Sequence, residues 1–223
     1  MGKVILLLCL AGLVFAQSDS LILYSSSDCY ANWYNPNTNY NDQYHGLYVG
    51  YASYAIIVNS SFMDFDLSTF PSDAQVDSAF IYAIRFSSRG TFVMYAGRVL
   101  YTWSETQLTA TVRLTGVNWD SLMARSIGVD WIPLDSQVVA GDVTLKFNAT
   151  STFNAINLAG VNYGIKFDAL AVASSGDKWQ GWGRQAVLSK RPYAVIYYTV
   201  MAATGAKWRG YYDGENLRTW GIK

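Results

Sequence analysis

The 223-residue chain contains few of the residues from which metal and catalytic sites are usually built. Its only histidine is His45, and its only cysteines are Cys9 and Cys29. No spacing typical of a zinc site occurs, and no serine or cysteine lies in a nucleophile motif such as G-x-S-x-G. Charged residues make up 14% of the chain, with 16 basic residues against 16 acidic ones. This balance argues against nucleic acid as a partner, because it provides no excess of positive charge.

The first sixteen residues have the pattern of an export signal. Lys3 gives a positive start, an apolar run too short to span a membrane follows, and the small residue Ala16 suits a signal peptidase. We therefore expect residues 1–16 to be a signal peptide and the protein to be secreted, either extracellular or at the cell surface. Cleavage would remove Lys3 and leave 15 basic residues against 16 acidic ones. Cys29 would then be the only cysteine, which excludes an intrachain disulfide and favours a buried, inert thiol.

No later segment is long and apolar enough to cross a membrane. Most of the chain alternates apolar and polar residues, which is the period of a β-strand. Residues 76–86, 143–148 and 161–171 alternate in this way, whereas residues 193–200 are apolar on both sides and predict a central strand. Many short strands with regular turns predict an all-β, antiparallel β-sandwich, jelly-roll-like, over residues 17–201. The predicted core residues are Phe80, Tyr82, Ile84, Phe147, Ile165, Phe167, Ile196 and Tyr198.

Six segments carry a resemblance to a known family. They are residues 35–40 (NPNTNY), 47–51 (LYVGY), 65–79 (FDLSTFPSDAQVDSA), 103–109 (WSETQLT), 162–167 (NYGIKF) and 191–198 (RPYAVIYY). In this order they resemble the DNRLRE-type carbohydrate-binding module family. The resemblance implies a β-sandwich without catalytic activity that binds a polysaccharide. The fold alone does not establish that function, which has to be argued from a site.

Aromatic residues in predicted loops are the candidate ligand-binding set. A sugar ring has an apolar C–H face that a rigid aromatic ring contacts well, while cationic side chains bind hydroxyls or carboxylates. Two predicted loops, around residues 31–45 and 177–190, contain such residues. The predicted site residues are Trp33, Tyr34, Tyr44, Trp179, Trp182, Arg184 and Lys190. Arg184 and Lys190 would suit an acidic polysaccharide in particular. The alternative is that these rings cap the ends of the sandwich; for Tyr40, capping is the favoured role.

Glycosidases use two carboxyls across a cleft, so three carboxylates are candidates for such a pair. Asp64 and Asp66 share a strand face, and Glu105 follows Trp103, but no pattern places any two of them in a cleft. Hydrogen bonding at strand ends is the preferred role, and His45 is interpreted as a solvated loop residue. We therefore predict no catalytic activity.

Hard oxygen donors crowd the same early loop, as calcium sites require. They are Asp28, Asn35, Asn37, Asn39 and Asp42. Since asparagine and aspartate are also ordinary turn residues, the turn role is favoured and structural calcium stays an alternative. Two glycosylation sequons, at Asn59 and Asn148, are compatible with export.

Residues 202–223 lie outside the resemblance. A small-residue hinge at 202–206 precedes a predicted aromatic β-hairpin with Asp213 and Gly214 at its turn. A lone hairpin is marginally stable, so we expect it to pack on its own sandwich. The competing hypothesis is a structural or adhesive subunit of a cell surface, filament or virion, which self-assembles through the hairpin or a sheet edge.

Overall fold

The computed structural model describes residues 16–41, 46–52, 57–141, 144–169, 176–201, 207–212 and 217–222. Within these ranges the chain is mostly β-strand, with one α-helix and two short 3₁₀ turns. The strands are β1 (Ala16–Asn32), β2 (Leu47–Ala52), β3 (Ile57–Phe65), β4 (Ala74–Arg89), β5 (Phe92–Val99), β6 (Val112–Leu114), β7 (Val117–Asn118), β8 (Trp131–Val139), β9 (Thr144–Asn148), β10 (Ile165–Asp168), β11 (Lys178–Gly181), β12 (Tyr193–Met201), β13 (Lys207–Tyr212) and β14 (Leu217–Ile222). The helix, α1, spans Thr150–Ala159. None of the helices in the described part of the chain is long and apolar enough to cross a membrane.

Ten of these strands form the main sheet and pair antiparallel in the order β1-β12-β4-β11-β2-β3-β10-β5-β8, with β9 on β4, while β6 and β7 pair separately. β1 also pairs with β3, so the first six strands of this order close into a ring. β1 and β4 are long enough to change partners along their length. The first part of each pairs with β12, and the second part pairs with β3 or β11 respectively. This topology confirms the predicted antiparallel, all-β fold.

Two groups of strands form the layers of the fold. We call the first parts of β1 and β4, together with β12 and β9, the front sheet. The other strands of the main sheet form the back. Apolar side chains are buried between them, among them the predicted core residues Phe147, Ile165, Phe167, Ile196 and Tyr198. Cys29 is buried in a second apolar cluster, where burial raises the pKa of its thiol well above the ordinary value.

The prediction that Phe80, Tyr82 and Ile84 lie in the core is wrong. The pairing of β4 with β12 skips Asp77, which is an extra residue in the strand. One inserted residue exchanges the two faces of a strand beyond it. Ile81 and its alternate neighbours therefore face the core, and the three larger residues lie half-buried on the outward face of the front sheet.

The predicted strand over residues 161–171 is shorter than expected, and it is buried on both faces. Among residues 161–169, the part of this segment that the structure describes, only β10 is a strand, and all four of its residues are buried. Lys166 and Asp168, which the alternation placed in solvent, are fully buried instead. Lys166 Nζ lies 2.5 Å from Asp168 Oδ2 and donates to the carbonyl of Ala124 at 2.9 Å. The charges are accepted in the interior because they pair and hydrogen-bond there.

Helix α1 was not predicted. Its sequence is rich in threonine and asparagine, which are poor helix formers, so its stability comes from packing. Phe153 and Ile156, three residues apart, face the core. The helix ends at Gly160, whose left-handed conformation (φ 65°) lets its N–H donate to the carbonyl of Ile156.

The predicted C-terminal hairpin is confirmed in its strands. β13 and β14 pair antiparallel, with Tyr212 opposite Leu217, as a separate two-stranded sheet. The predicted turn at Asp213 and Gly214 and the hinge at 202–206 lie outside the described residues, as do residues 1–15 of the predicted signal.

Candidate functional site

Two of the predicted aromatic residues lie side by side on a loop that follows β1. Trp33 is 45% exposed and Tyr34 68% exposed. Asn32, the last residue of the strand, caps the turn: its side-chain oxygen accepts hydrogen bonds from the backbone N–H groups of Tyr34 (2.7 Å) and Asn35 (3.2 Å). The local sequence thus turns the chain sharply and leaves both rings in solvent.

The rest of this loop is tied to the body of the protein. The Asn39 side-chain amide donates to the carbonyls of Glu105 (2.8 Å) and Leu108 (2.7 Å). Tyr40 stacks on Tyr30 with ring centroids 4.6 Å apart, and its carbonyl accepts the Tyr30 N–H. Residues 32–40, which we call the aromatic loop, are therefore held in one conformation.

The asparagines considered as calcium ligands hold this loop through protein contacts. Asn35 Nδ2 donates to the Tyr40 hydroxyl at 2.9 Å, and the Asn37 side-chain oxygen accepts from the Thr111 hydroxyl at 3.1 Å. The side chain of Asp28 is buried, and Asp42 lies outside the described residues. In the part of the chain that the structure covers, no three His, Cys, Asp or Glu side chains are grouped as a metal site. These contacts are those expected of turn residues.

Arg184 is not the free cation that the sequence indicated. Its Nε and Nη2 donate to the two carboxylate oxygens of Glu105 at 2.6 and 2.7 Å, a bidentate pair. The hydrogen bond to Glu105 raises the pKa of the guanidinium. Because Glu105 neutralises its charge, Arg184 positions Glu105 rather than offering a free charge to a ligand.

Asp28 lies beneath this pair and is fully buried. Its carboxylate accepts the backbone N–H of Arg184, and its own N–H donates to Glu105 Oε1 at 3.2 Å. Two glycines make room for it: a Cβ atom at Gly46 or Gly183 would lie 2.6 or 3.0 Å from Oδ1. Desolvation, reinforced by the charge of Glu105, raises the pKa of Asp28 to about 6 despite the opposing hydrogen bond from Arg184.

An open polar cavity of about 330 Å³ lies on the other side of Glu105. Its lining residues come from β1, β3 and the segment after β5: Ser27, Asp64, Trp103, Ser104, Glu105 and Thr106. Asp64 Oδ1 accepts hydrogen bonds from the Asn162 side chain (2.5 Å) and the Phe65 N–H (2.7 Å). Burial nevertheless raises the pKa of Asp64 to about 6. The fold therefore brings Asp64 and Glu105 to one cavity, which the sequence did not predict, whereas Asp66 lies exposed at a turn.

The prediction that Trp179 forms a surface platform is wrong. Trp179 has no exposed surface and belongs to the main core. The glycine-rich segment that looked like a loop is β11, which pairs with β2 on one side and β4 on the other. Gly181 allows the indole to fit, since a Cβ atom there would lie 2.2 Å from a ring carbon of Trp179.

Trp182 lies at the surface but already has partners. It packs edge-on against Phe86, with ring centroids 4.8 Å apart, and Lys190 Nζ lies 4.5 Å from the centre of its indole. Lys190 itself is exposed. Of the predicted set, Trp33, Tyr34, Trp182, Arg184 and Lys190 are thus accessible at least in part, and Tyr44 lies outside the described residues together with His45. The sequon asparagines differ: Asn59 is buried and Asn148 exposed.

No protein-family model matches the chain, and no curated protein is significantly similar to it. The resemblance drawn from the six sequence segments therefore stays a prediction.

Proposed function

We propose that the protein is an exported, non-catalytic β-sandwich that binds a polysaccharide. The observation that carries the proposal is the pair of neighbouring exposed rings, Trp33 and Tyr34, on an aromatic loop held by side-chain hydrogen bonds. Exposed rings on a held loop bind at low entropic cost, because little ordering is needed when the ligand arrives. Their flat faces suit the C–H face of a sugar ring.

Besides an aromatic surface, a sugar site needs polar groups that bind hydroxyls, and the polar cavity supplies them. Glu105 and Asp64 offer carboxylate oxygens that accept hydrogen bonds from sugar hydroxyls, and Trp103 adds an aromatic wall. The aromatic loop is bonded to one segment that lines the cavity, since the Asn39 side chain donates to the carbonyl of Glu105. A ligand on the two rings therefore has polar partners on a neighbouring, directly bonded element.

Binding without hydrolysis is the activity that these carboxylates favour. The bidentate pair with Arg184 holds the Glu105 carboxylate in place, and the amide of Asn162 holds Asp64. Asp64 and Glu105 are nevertheless two carboxyls at one cavity, and the pKa of Asp64 is raised. A glycosidase uses such a pair as acid and base. Hydrolysis is therefore measured in the same experiment as binding.

The test is retention of the purified protein on a panel of neutral and acidic polysaccharides, with assay of released reducing sugar. Trp33→Ala and Tyr34→Ala should each weaken binding about fivefold, the equivalent of about 1 kcal/mol per stacking ring. Leu158→Ala, which removes an exposed apolar side chain from α1, is the matched control and should bind normally. Retention on no polymer would favour the structural or adhesive alternative, and sugar release that Asp64→Asn abolishes would show an enzyme.

A further inference from the structure

The side chains of Lys166 and Asp168 meet in the interior of the protein, on the same face of β10. Alternate residues of a strand share a face, and neither side chain has any exposed surface. Lys166 Nζ lies 2.5 Å from Asp168 Oδ2. The surroundings of the amine are aromatic, with Nζ 4.5 Å from the centre of the Trp131 ring and 6.0 Å from that of Phe62. An amine and a carboxyl are therefore in contact at a place that solvent does not reach.

The hydrogen bonding of this buried pair is incomplete. A lysine ammonium has three N–H donors, and the described part of the chain gives it two acceptors, Asp168 Oδ2 and the carbonyl of Ala124 at 2.9 Å. Asp168 Oδ1 is buried and has no hydrogen-bond partner among the described residues. Buried polar atoms nearly always have partners, because an unsatisfied one costs the free energy of its lost hydration. As an ion pair, the two side chains therefore leave a donor and an acceptor unsatisfied.

The surroundings of the pair favour its uncharged form. Desolvation lowers the pKa of Lys166 despite the opposing charge of Asp168, and the nearby charge of Arg125 lowers it further. Transfer of one proton from the ammonium to the carboxylate gives an amine and a carboxylic acid, which a medium of low dielectric constant tolerates better than two ions. The uncharged amine has a free lone pair and is a nucleophile. Arg125 Nε lies 3.6 Å from Asp168 Oδ2, where its positive charge stabilises negative charge that develops on this oxygen during attack.

The backbone that holds the amine is itself strained. Met123 (φ 63°) and Ala124 (φ 53°) are two consecutive residues in the left-handed region, which residues other than glycine rarely adopt. Both are buried, and the carboxylate of Asp130 fixes the end of their turn by accepting the N–H of Ser126 at 3.1 Å. Strain of this kind persists only where the surrounding structure enforces it, and it is common at functional sites. Here it directs the carbonyl of Ala124 at Lys166 Nζ, so the amine has a fixed position against the carboxyl.

We infer that Lys166 and Asp168 condense to an amide that links their side chains. The Nζ–Cγ bond forms and one Cγ–Oδ bond breaks, and the oxygen leaves as water with a proton from Nζ and the proton of the carboxylic acid. The reaction consumes no other reactant. The product has one N–H, which the carbonyl of Ala124 accepts, and one carbonyl oxygen beside the Arg125 guanidinium. Condensation therefore removes two buried charges together with the unsatisfied donor and acceptor. The inference does not depend on the proposed function.

The test is the mass of the purified, folded protein, measured by mass spectrometry on the intact chain and on its tryptic peptides. The intact mass should be lower than that calculated for the same chain by the mass of one water. The loss should lie in a peptide that contains both Lys166 and Asp168, and trypsin should not cleave after Lys166, because its amine has become an amide. Lys166→Met keeps a long apolar side chain but has no amine, so this variant should have its full calculated mass. Lys146→Met, at an exposed lysine, is the matched control and should keep the loss.

The wild-type mass decides the inference even if Lys166→Met does not fold. A wild-type chain of full mass, cleaved normally after Lys166, would show that the two side chains remain an ion pair, and the inference would be wrong. A loss that maps to another peptide, or that persists in Lys166→Met, would overturn it as well, because the reaction would then involve other residues. Neither result affects the proposed function, which the retention of the protein on polysaccharides tests separately.

Discussion

The buried carboxyl of Asp28 predicts that the protein becomes more stable as the pH falls from 7.5 to 5. Burial raises its pKa in the folded state to about 6, compared with an ordinary value of 3.8. Between these two values the folded protein binds the proton that the unfolded chain releases. The stability that this proton contributes is complete below pH 3.8 and is lost as the pH rises through 6. Asp64, whose pKa is also raised to about 6 by burial, adds a contribution of the same sign.

The size of the effect follows from the shift. One pKa unit corresponds to about 1.4 kcal/mol, and pH 5 lies one unit below a pKa of about 6, so the free energy of unfolding is about 1.4 kcal/mol higher at pH 5 than at pH 7.5 for each carboxyl. Asp28→Asn removes the ionisable group. The difference in free energy of unfolding between pH 5 and pH 7.5 should therefore shrink by the contribution of one carboxyl. With a urea slope of about 2 kcal/mol per molar, the change corresponds to a difference of about 0.7 M in the urea midpoint.

The measurement is urea unfolding at constant ionic strength at several pH values between 5 and 7.5. Asp66→Asn is the control: Asp66 is exposed, and hydrogen bonds from Ser68 lower its pKa, so it does not titrate in this range. A pH dependence identical in wild type and Asp28→Asn would refute the account of Asp28 as a desolvated carboxyl.

Two further predictions concern the core and the C-terminal hairpin. Trp179→Ala should destabilise the protein by about 3–5 kcal/mol, because the indole is fully buried, whereas Trp182→Ala should cost far less; equal losses in a thermal or urea melt would contradict this assignment. Deleting residues 207–223 should leave a monomer that melts at a lower temperature, since an aromatic surface is uncovered. An intact protein that forms fibres or fixed oligomers, lost on deletion without a change in melting, would instead support assembly through the hairpin.

Sequence alternation predicted strands well where each strand runs without interruption. β9 alternates as expected, and β12 lies between β1 and β4, as its two apolar sides required. In β4 both sets of alternate positions are apolar, and the outward set contains the larger residues, so side-chain size favoured the wrong face. The bulge at Asp77 determines which face of β4 is buried, and no local residue pattern marks the bulge.

The sequence predicted the exposure of aromatic rings correctly where polar residues flank them, and wrongly where glycines flank them. Trp33 and Tyr34 lie among polar loop residues and are exposed as expected, although their binding role stays a prediction. Around Trp179 the glycines suggested a flexible connection, but Gly181 provides space for the indole in a sheet. The pairing of Arg184 with Glu105 joins residues 79 positions apart and has no signal in the local sequence.

The pairing of β1 with β12 constrains how the protein is made. Ser18 and Thr199 face each other across these strands, 181 residues apart, so the first part of β1 gains its partner only when β12 has been made, although the second part can pair earlier with β3. Contacts this distant slow folding and leave strand edges open while the chain is incomplete. We therefore expect a nascent chain that ends before Tyr193 to stay open at this edge.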